Sequence, residues 1–157
     1  MNYPIAFNKI TEELEYYSEV QQMHQEAVKY LQGFKWCQKI INSVLYTNLG
    51  SKLCIFLFEI DNSASSEDNL IWVMVGDFPA MYLDAFGSKS TREVLETYVN
   101  LADDWIKQVK SGESTTECYP FEAEPTKEMA TLFKKKVDFI RQTVIPNIDD
   151  IKLQEQL

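Results

Sequence analysis

Leu53-Cys54-Ile55-Phe56-Leu57-Phe58-Glu59-Ile60 and, after a nine-residue link, Leu70-Ile71-Trp72-Val73-Met74-Val75 are the two stretches that decide the fold. Both are short, nearly unbroken apolar runs, partly β-branched or aromatic, the pattern of strands covered on both faces. The link, residues 61–69, is rich in Asn, Asp and Ser and reads as an exposed connection, so an antiparallel hairpin is the simplest pairing. Gly76-Asp77-Phe78-Pro79 is a turn signal, and residues 80–86 supply a third strand closed by Gly87-Ser88. A three-stranded antiparallel meander is the expected sheet.

Outward from the meander the period changes from two to three or four. Upstream, Thr11 with Glu12 and Glu13 forms a helix start, and Leu14, Tyr17, Val20, His24, Ala27, Val28 and Leu31 mark one apolar stripe before Gly33. A second start at Ser18-Glu19-Val20-Gln21 would split that helix. Phe34, Cys37, Ile40, Ile41, Val44 and Leu45 continue with helical spacing as far as Asn48-Leu49-Gly50-Ser51 and predict a second helix. Downstream, Ser90-Thr91-Arg92-Glu93 is a complete capping box opening a helix that ends near Gly112, and Pro125-Thr126 opens a last helix stopped by Pro146. The reading is α+β: one domain over residues 1–146, a three-stranded meander with about four helices in the order α-α-β-β-β-α-α, and a polar tail over residues 147–157 that should fray.

The chain has 157 residues, 45% apolar and 25% charged, enough for a real core and unlike a disordered, collagenous or disulfide-rich sequence. No apolar run approaches the roughly 20 residues of a membrane-spanning helix. The first residues lack a basic stretch followed by an apolar run, so a cytoplasmic setting is expected. Three cysteines without a Cys-x-x-Cys pair read as buried reduced thiols, and five scattered glycines exclude the Gly-rich phosphate loops. No cofactor and no metal are expected.

The formal charge of −9 is unevenly spread. Residues 59–128 hold fifteen acids and five bases, a balance of −10, while the rest of the chain carries nine acids and ten bases. An acidic surface of this kind repels nucleic acid and anionic membranes and steers a basic protein partner. Asp61, Glu67, Asp68, Asp103 and Asp104 are the candidate contact residues. A second candidate is a pocket between sheet and helices near Asp77, Tyr82, Cys118 and Tyr119, where a strand-end carboxylate and a thiol lie on loops. The lone histidine, His24, sits on the first helical stripe and reads as a hydrogen-bonded, partly buried residue. Lys134-Lys135-Lys136 reads as a solvated helix face.

Trp72-Val73-Met74-Val75-Gly76-Asp77-Phe78-Pro79-Ala80-Met81-Tyr82-Leu83, Cys118-Tyr119-Pro120, Pro125-Thr126-Lys127-Glu128 and Ile145-Pro146 together resemble an uncharacterised family of small acidic bacterial proteins. The resemblance spans residues 36–146 and implies a bacterial, cytoplasmic setting without assigning an activity. In size and acidity the chain is also similar to immunity proteins, which neutralise antibacterial toxins by binding them. The expected function is therefore a non-enzymatic protein-binding domain, an immunity-type inhibitor whose acidic surface occludes a basic toxin or nuclease site. The alternatives are a small enzyme or ligand-binding domain using the pocket near Asp77 and Cys118, and a subunit that forms a homodimer through an apolar patch on its first two helices.

Overall fold

The structure is a computed structural model and describes residues 2–65 and 69–154. Its elements are β1 (Ile5–Ala6), a 3-10 turn (Phe7–Lys9), α1 (Tyr17–Gln32), β2 (Cys37–Asn48), β3 (Leu53–Asn62), β4 (Leu70–Gly76), β5 (Phe78–Asp84), α2 (Thr91–Lys110) and α3 (Lys127–Phe139). The last helix runs on through a π-helical turn (Ile140–Val144) and a final short piece (Ile145–Asn147). The strands form one antiparallel sheet in the order β1-β2-β3-β4-β5.

The α+β class stands, but the three-stranded meander with four helices does not: the sheet has five strands, and among the described residues three helices exceed a single turn. The segment expected to be the second helix is β2. Its ladder with β3 is interrupted between Cys37 and Lys39, between Ile40 and Asn42, and between Leu45 and Thr47. Each interruption breaks the two-residue alternation: Cys37 and Ile40 turn toward α1 and Val44 toward α2 and α3, and the apolar positions are left at a spacing that imitates a helix. Ile40, Ile41, Val44 and Thr47 are β-branched and favour the strand once β3 is available to pair with. β1 is only two residues long, pairing Ile5 with Leu45 and Ala6 with Val44, too short to leave a periodic signal.

Both faces of the sheet are covered, which is why β3 reads as unbroken apolar sequence. Leu53, Ile55 and Leu57 point with Trp72 and Met74 toward α2 and α3. Cys54, Phe56 and Phe58 point with Ile71, Val73 and Val75 toward α1. Trp72 is fully buried, its indole N–H donating to the Ser88 carbonyl at 2.8 Å and its ring meeting Tyr46 edge-on at 4.7 Å. Helix α1 begins near the second expected start, at Tyr17, because Thr11 closes a local turn and Tyr16 enters the left-handed region at φ 57°. Its stripe Val20, Met23, Ala27 and Leu31 is buried against the sheet, and the partner helix of the homodimer reading is a strand.

Ser90 caps α2, its Oγ accepting from the Glu93 N–H at 3.3 Å, and the Glu93 carboxylate reaches one residue past the cap to accept from the Lys89 N–H at 2.7 Å. Thr126 caps α3 through the Met129 N–H at 3.1 Å. The tail expected to fray is tied down as far as Gln154. Thr91 and Ile151 exchange two bonds, the Leu153 N–H reaches the Lys89 carbonyl, and the Gln154 N–H reaches the Tyr46 hydroxyl. No helix of the described residues is long and apolar enough to cross a membrane.

Candidate functional site

The candidate site is built around the outer edge of β5, where a loop and a helix bring aromatic rings and carboxylates together. The Tyr82 ring, on the α1 side of that strand, lies 4.9 Å from Phe34, 5.0 Å from Trp36, 6.3 Å from Tyr30 and 6.2 Å from Tyr119. All five rings are half-buried. Tyr119 arrives from the α2–α3 loop, and its hydroxyl bonds both main-chain groups of Tyr82, accepting from the N–H at 3.0 Å and donating to the carbonyl at 3.2 Å. A hydroxyl has one proton, so Tyr30, 3.2 Å away, is the donor to Tyr119. The Tyr119 oxygen is thereby fully committed, and the loop covers an edge that would otherwise offer unpaired backbone groups. Burial, together with the neighbouring phenols and the Glu122 carboxylate, pushes both Tyr30 and Tyr119 upward, against the hydrogen bonds that stabilise the Tyr119 phenolate.

Of the five candidate acids, Asp103 and Asp104 stand side by side on α2 with different fates. Asp103 forms an ion pair with Arg141, which also holds Asp138 at 3.0 Å, and Asp138 takes Lys134 at 2.7 Å. Asp104, one step and about 100° further round the helix, has no salt-bridge partner among the described residues. Its charge is felt instead at Cys118, whose thiol is pushed up by burial and then by the charges of Asp104 and Glu117. Asp61 is exposed on β3 opposite Lys39 of β2, and Glu67 and Asp68 lie outside the described residues.

The four pocket candidates divide. Tyr82 and Tyr119 meet as described, whereas the Asp77 carboxylate turns to Lys136 at 2.9 Å. Asp77 and Tyr119 both act on the Tyr98 phenol, which burial above all holds well above its ordinary value, but that hydroxyl donates to the Pro79 carbonyl at 2.7 Å. Cys118 packs at the margin of the α2–α3 core. His24 is far from acid–base duty: its ring stacks on Phe7 at 3.5 Å, its Nε2 meets Ser43 Oγ at 2.8 Å, and burial lowers its pKa to about 4. Among the described residues no group of His, Cys, Asp and Glu is arranged to hold a metal.

Tyr30, Phe34 and Trp36 are not legible in the sequence as parts of this site, because Phe34 has the spacing of a helical stripe. The acids of residues 113–124 contribute to the excess over residues 59–128, and nothing in their spacing singles out Glu117 or Glu122. The chain matches no protein-family model, no curated protein and no solved structure.

Proposed function

We propose that this chain is a non-enzymatic protein-binding domain, in its most concrete form an immunity-type inhibitor that covers a basic site on a partner. The observation that carries the reading is electrostatic: the charges of Asp104 of α2 and Glu117 of the following loop are felt at Cys118, and that of Glu122 in the same loop is felt at the adjacent Tyr119 and at Tyr30. None of these three carboxylates has a salt-bridge partner among the described residues. Uncompensated acids on a loop that also carries a half-buried tyrosine of an aromatic cluster suit an interface in which charge accelerates encounter and aromatic rings supply the anchors. Asp77, Asp103 and Asp138, already neutralised by Lys136, Arg141 and Lys134, contribute less to that field.

The test is capture from a lysate of the source organism by the tagged chain, beside a variant carrying Asp104→Asn, Glu117→Gln and Glu122→Gln. The expected result is a stoichiometric basic partner, released by about 0.5 M salt, which screens exposed charges, and lost from the triple variant. With the partner purified, Asp104→Asn should slow association several-fold and Asp103→Asn much less. A partner retained equally by the triple variant, or an acidic one, refutes the reading.

A further inference from the structure

A cleft of about 870 Å³ opens at the opposite end of β2, around the β2–β3 turn, within the size range of small-molecule sites. Its buried part is the end of β2, where the interruption between Leu45 and Thr47 breaks the alternation and both Tyr46 and Thr47 line the cleft. Thr47 is 7% exposed, and its hydroxyl forms no hydrogen bond among the described residues. None of their unpartnered polar side-chain atoms is sealed from solvent, so this hydroxyl opens on the cleft that the residue lines. A hydroxyl on so deeply buried a residue is ordinarily bonded within the protein, and one left open to a cavity is a point of attachment for a ligand. Beside it the Tyr46 hydroxyl accepts from the Gln154 N–H at 3.0 Å and finds no acceptor for its own proton among the described residues. Both hydroxyls can serve an oxygen on a bound molecule.

The exposed part of the cleft is aromatic and, on balance, anionic. Tyr16 is 47% exposed and Phe139 39% exposed, large rings with open surface. The Tyr16 ring is held in place by Gly50, where φ is +64° and a Cβ would come within 3.1 Å of that ring. Two carboxylates line the cleft, Glu19 in the first turn of α1 and Asp149 beyond the last helical piece, against one lysine, Lys52. Lys52 shows which charge these rings attract: its Nζ lies 5.6 Å from the centre of the Phe139 ring, an ammonium on an aromatic face. Carboxylates and ring faces favour the same kind of guest, a cation, and an anion would meet both carboxylates.

We propose that this cleft binds an aromatic amine with a hydroxyl at its far end, the ammonium drawn to Glu19, Asp149 and the Tyr16 and Phe139 rings and the hydroxyl bonded to Thr47. The site is independent of the acidic face around Tyr119. The probes share one ring: tyramine, phenethylamine without the phenol oxygen, tyrosol with an alcohol in place of the ammonium, and 4-hydroxyphenylacetate with a carboxylate there. Each is titrated into the full chain by calorimetry, with circular dichroism and melting curves confirming that every variant is folded. Tyramine should bind about tenfold more tightly than tyrosol and several-fold more tightly than phenethylamine, with 4-hydroxyphenylacetate weakest. Thr47→Val removes a hydroxyl without a partner, so it should leave the melting temperature of the unliganded chain unchanged or raised and abolish the preference for tyramine over phenethylamine. Glu19→Gln with Asp149→Asn should abolish the preference for tyramine over tyrosol, and Lys52→Gln, which removes a competing cation, should tighten tyramine binding. The variant lacking the Asp104, Glu117 and Glu122 charges should bind tyramine as the wild type does, which separates failure of this site from failure of the acidic face. Absence of tyramine binding at millimolar concentration, equal or tighter binding of tyrosol or 4-hydroxyphenylacetate, or a preference over phenethylamine that survives Thr47→Val overturns the proposal.

Discussion

Acidification from about pH 7.5 to pH 5 is expected to weaken the fold through one residue, His24. Its imidazole is packed flat on Phe7 at 3.5 Å and edge-on against Phe56 at 5.4 Å, and it gains one hydrogen bond, to Ser43, with no salt-bridge partner among the described residues. Burial therefore lowers the pKa from 6.5 in the free side chain to about 4. The unfolded chain takes up the proton near pH 6.5 and the folded chain only near pH 4, so stability is complete above neutrality and is lost as the pH falls through that interval. At about 1.4 kcal/mol per pKa unit, linkage gives a loss of at most about 2 kcal/mol at pH 5. Part of the ring reaches solvent, whose screening brings the expected value to about 1–2 kcal/mol. Urea unfolding of the wild type and of His24→Gln across this range measures the effect, because the carboxylates titrate in both proteins and cancel in the difference. The stability of the wild type relative to the variant should fall by that amount between about pH 7.5 and pH 5. A difference that stays constant across the range, or that grows in favour of the wild type on acidification, refutes the reasoning.

Two further substitutions probe how the sheet is closed at its β5 side. Tyr119→Phe removes the hydroxyl that serves the Tyr82 N–H, the Tyr82 carbonyl and the Tyr30 hydroxyl while keeping the ring, and should cost about 1–3 kcal/mol in urea unfolding, with faster amide exchange at Tyr82. Unchanged stability and exchange would show that the loop does not cover the edge. Gly76→Ala places a methyl group inside van der Waals contact of the Lys52 carbonyl oxygen and 2.5 Å from the Phe78 ring. Since the main chain of the β2–β3 turn cannot turn aside as a flexible side chain would, the expected loss is about 3 kcal/mol, read as a fall in melting temperature. A melting temperature equal to that of the wild type would contradict the packing of the β4–β5 turn against Lys52.

The charge pattern shows how far local reading reaches. An excess of acids over residues 59–128 is plain in the composition, and it makes an acidic surface the natural expectation. Which of those acids stay uncompensated depends on partners far along the chain. Arg141 neutralises Asp103 from 38 positions away, Lys136 reaches Asp77 from 59, and Asp104 is passed over because the helix turns it elsewhere. Electrostatic pairing is a property of distance in space, and composition carries none of that distance.

Sequence alone determined the features that arise within a single element or from its immediate burial. The unbroken apolar runs of β3 and β4 mark strands covered on both faces, the Ser90 cap sets the start of α2, and Thr126 caps α3, because capping and face-to-face burial depend on residues a few positions apart. Tertiary structure decided the rest. Residues 37–48 carry a helix-like spacing and become a strand because β3 offers a partner ladder and bulges absorb the misplaced residues. α1 starts at Tyr17, with Tyr16 held in a left-handed conformation above Gly50, a residue 34 positions later that leaves room for its ring. The Tyr119 clasp, the aromatic cluster at the β5 edge and the cleft beside Lys52 likewise join residues distant in sequence. Periodicity says which face of an element must be hidden from water; only the assembled fold says what hides it.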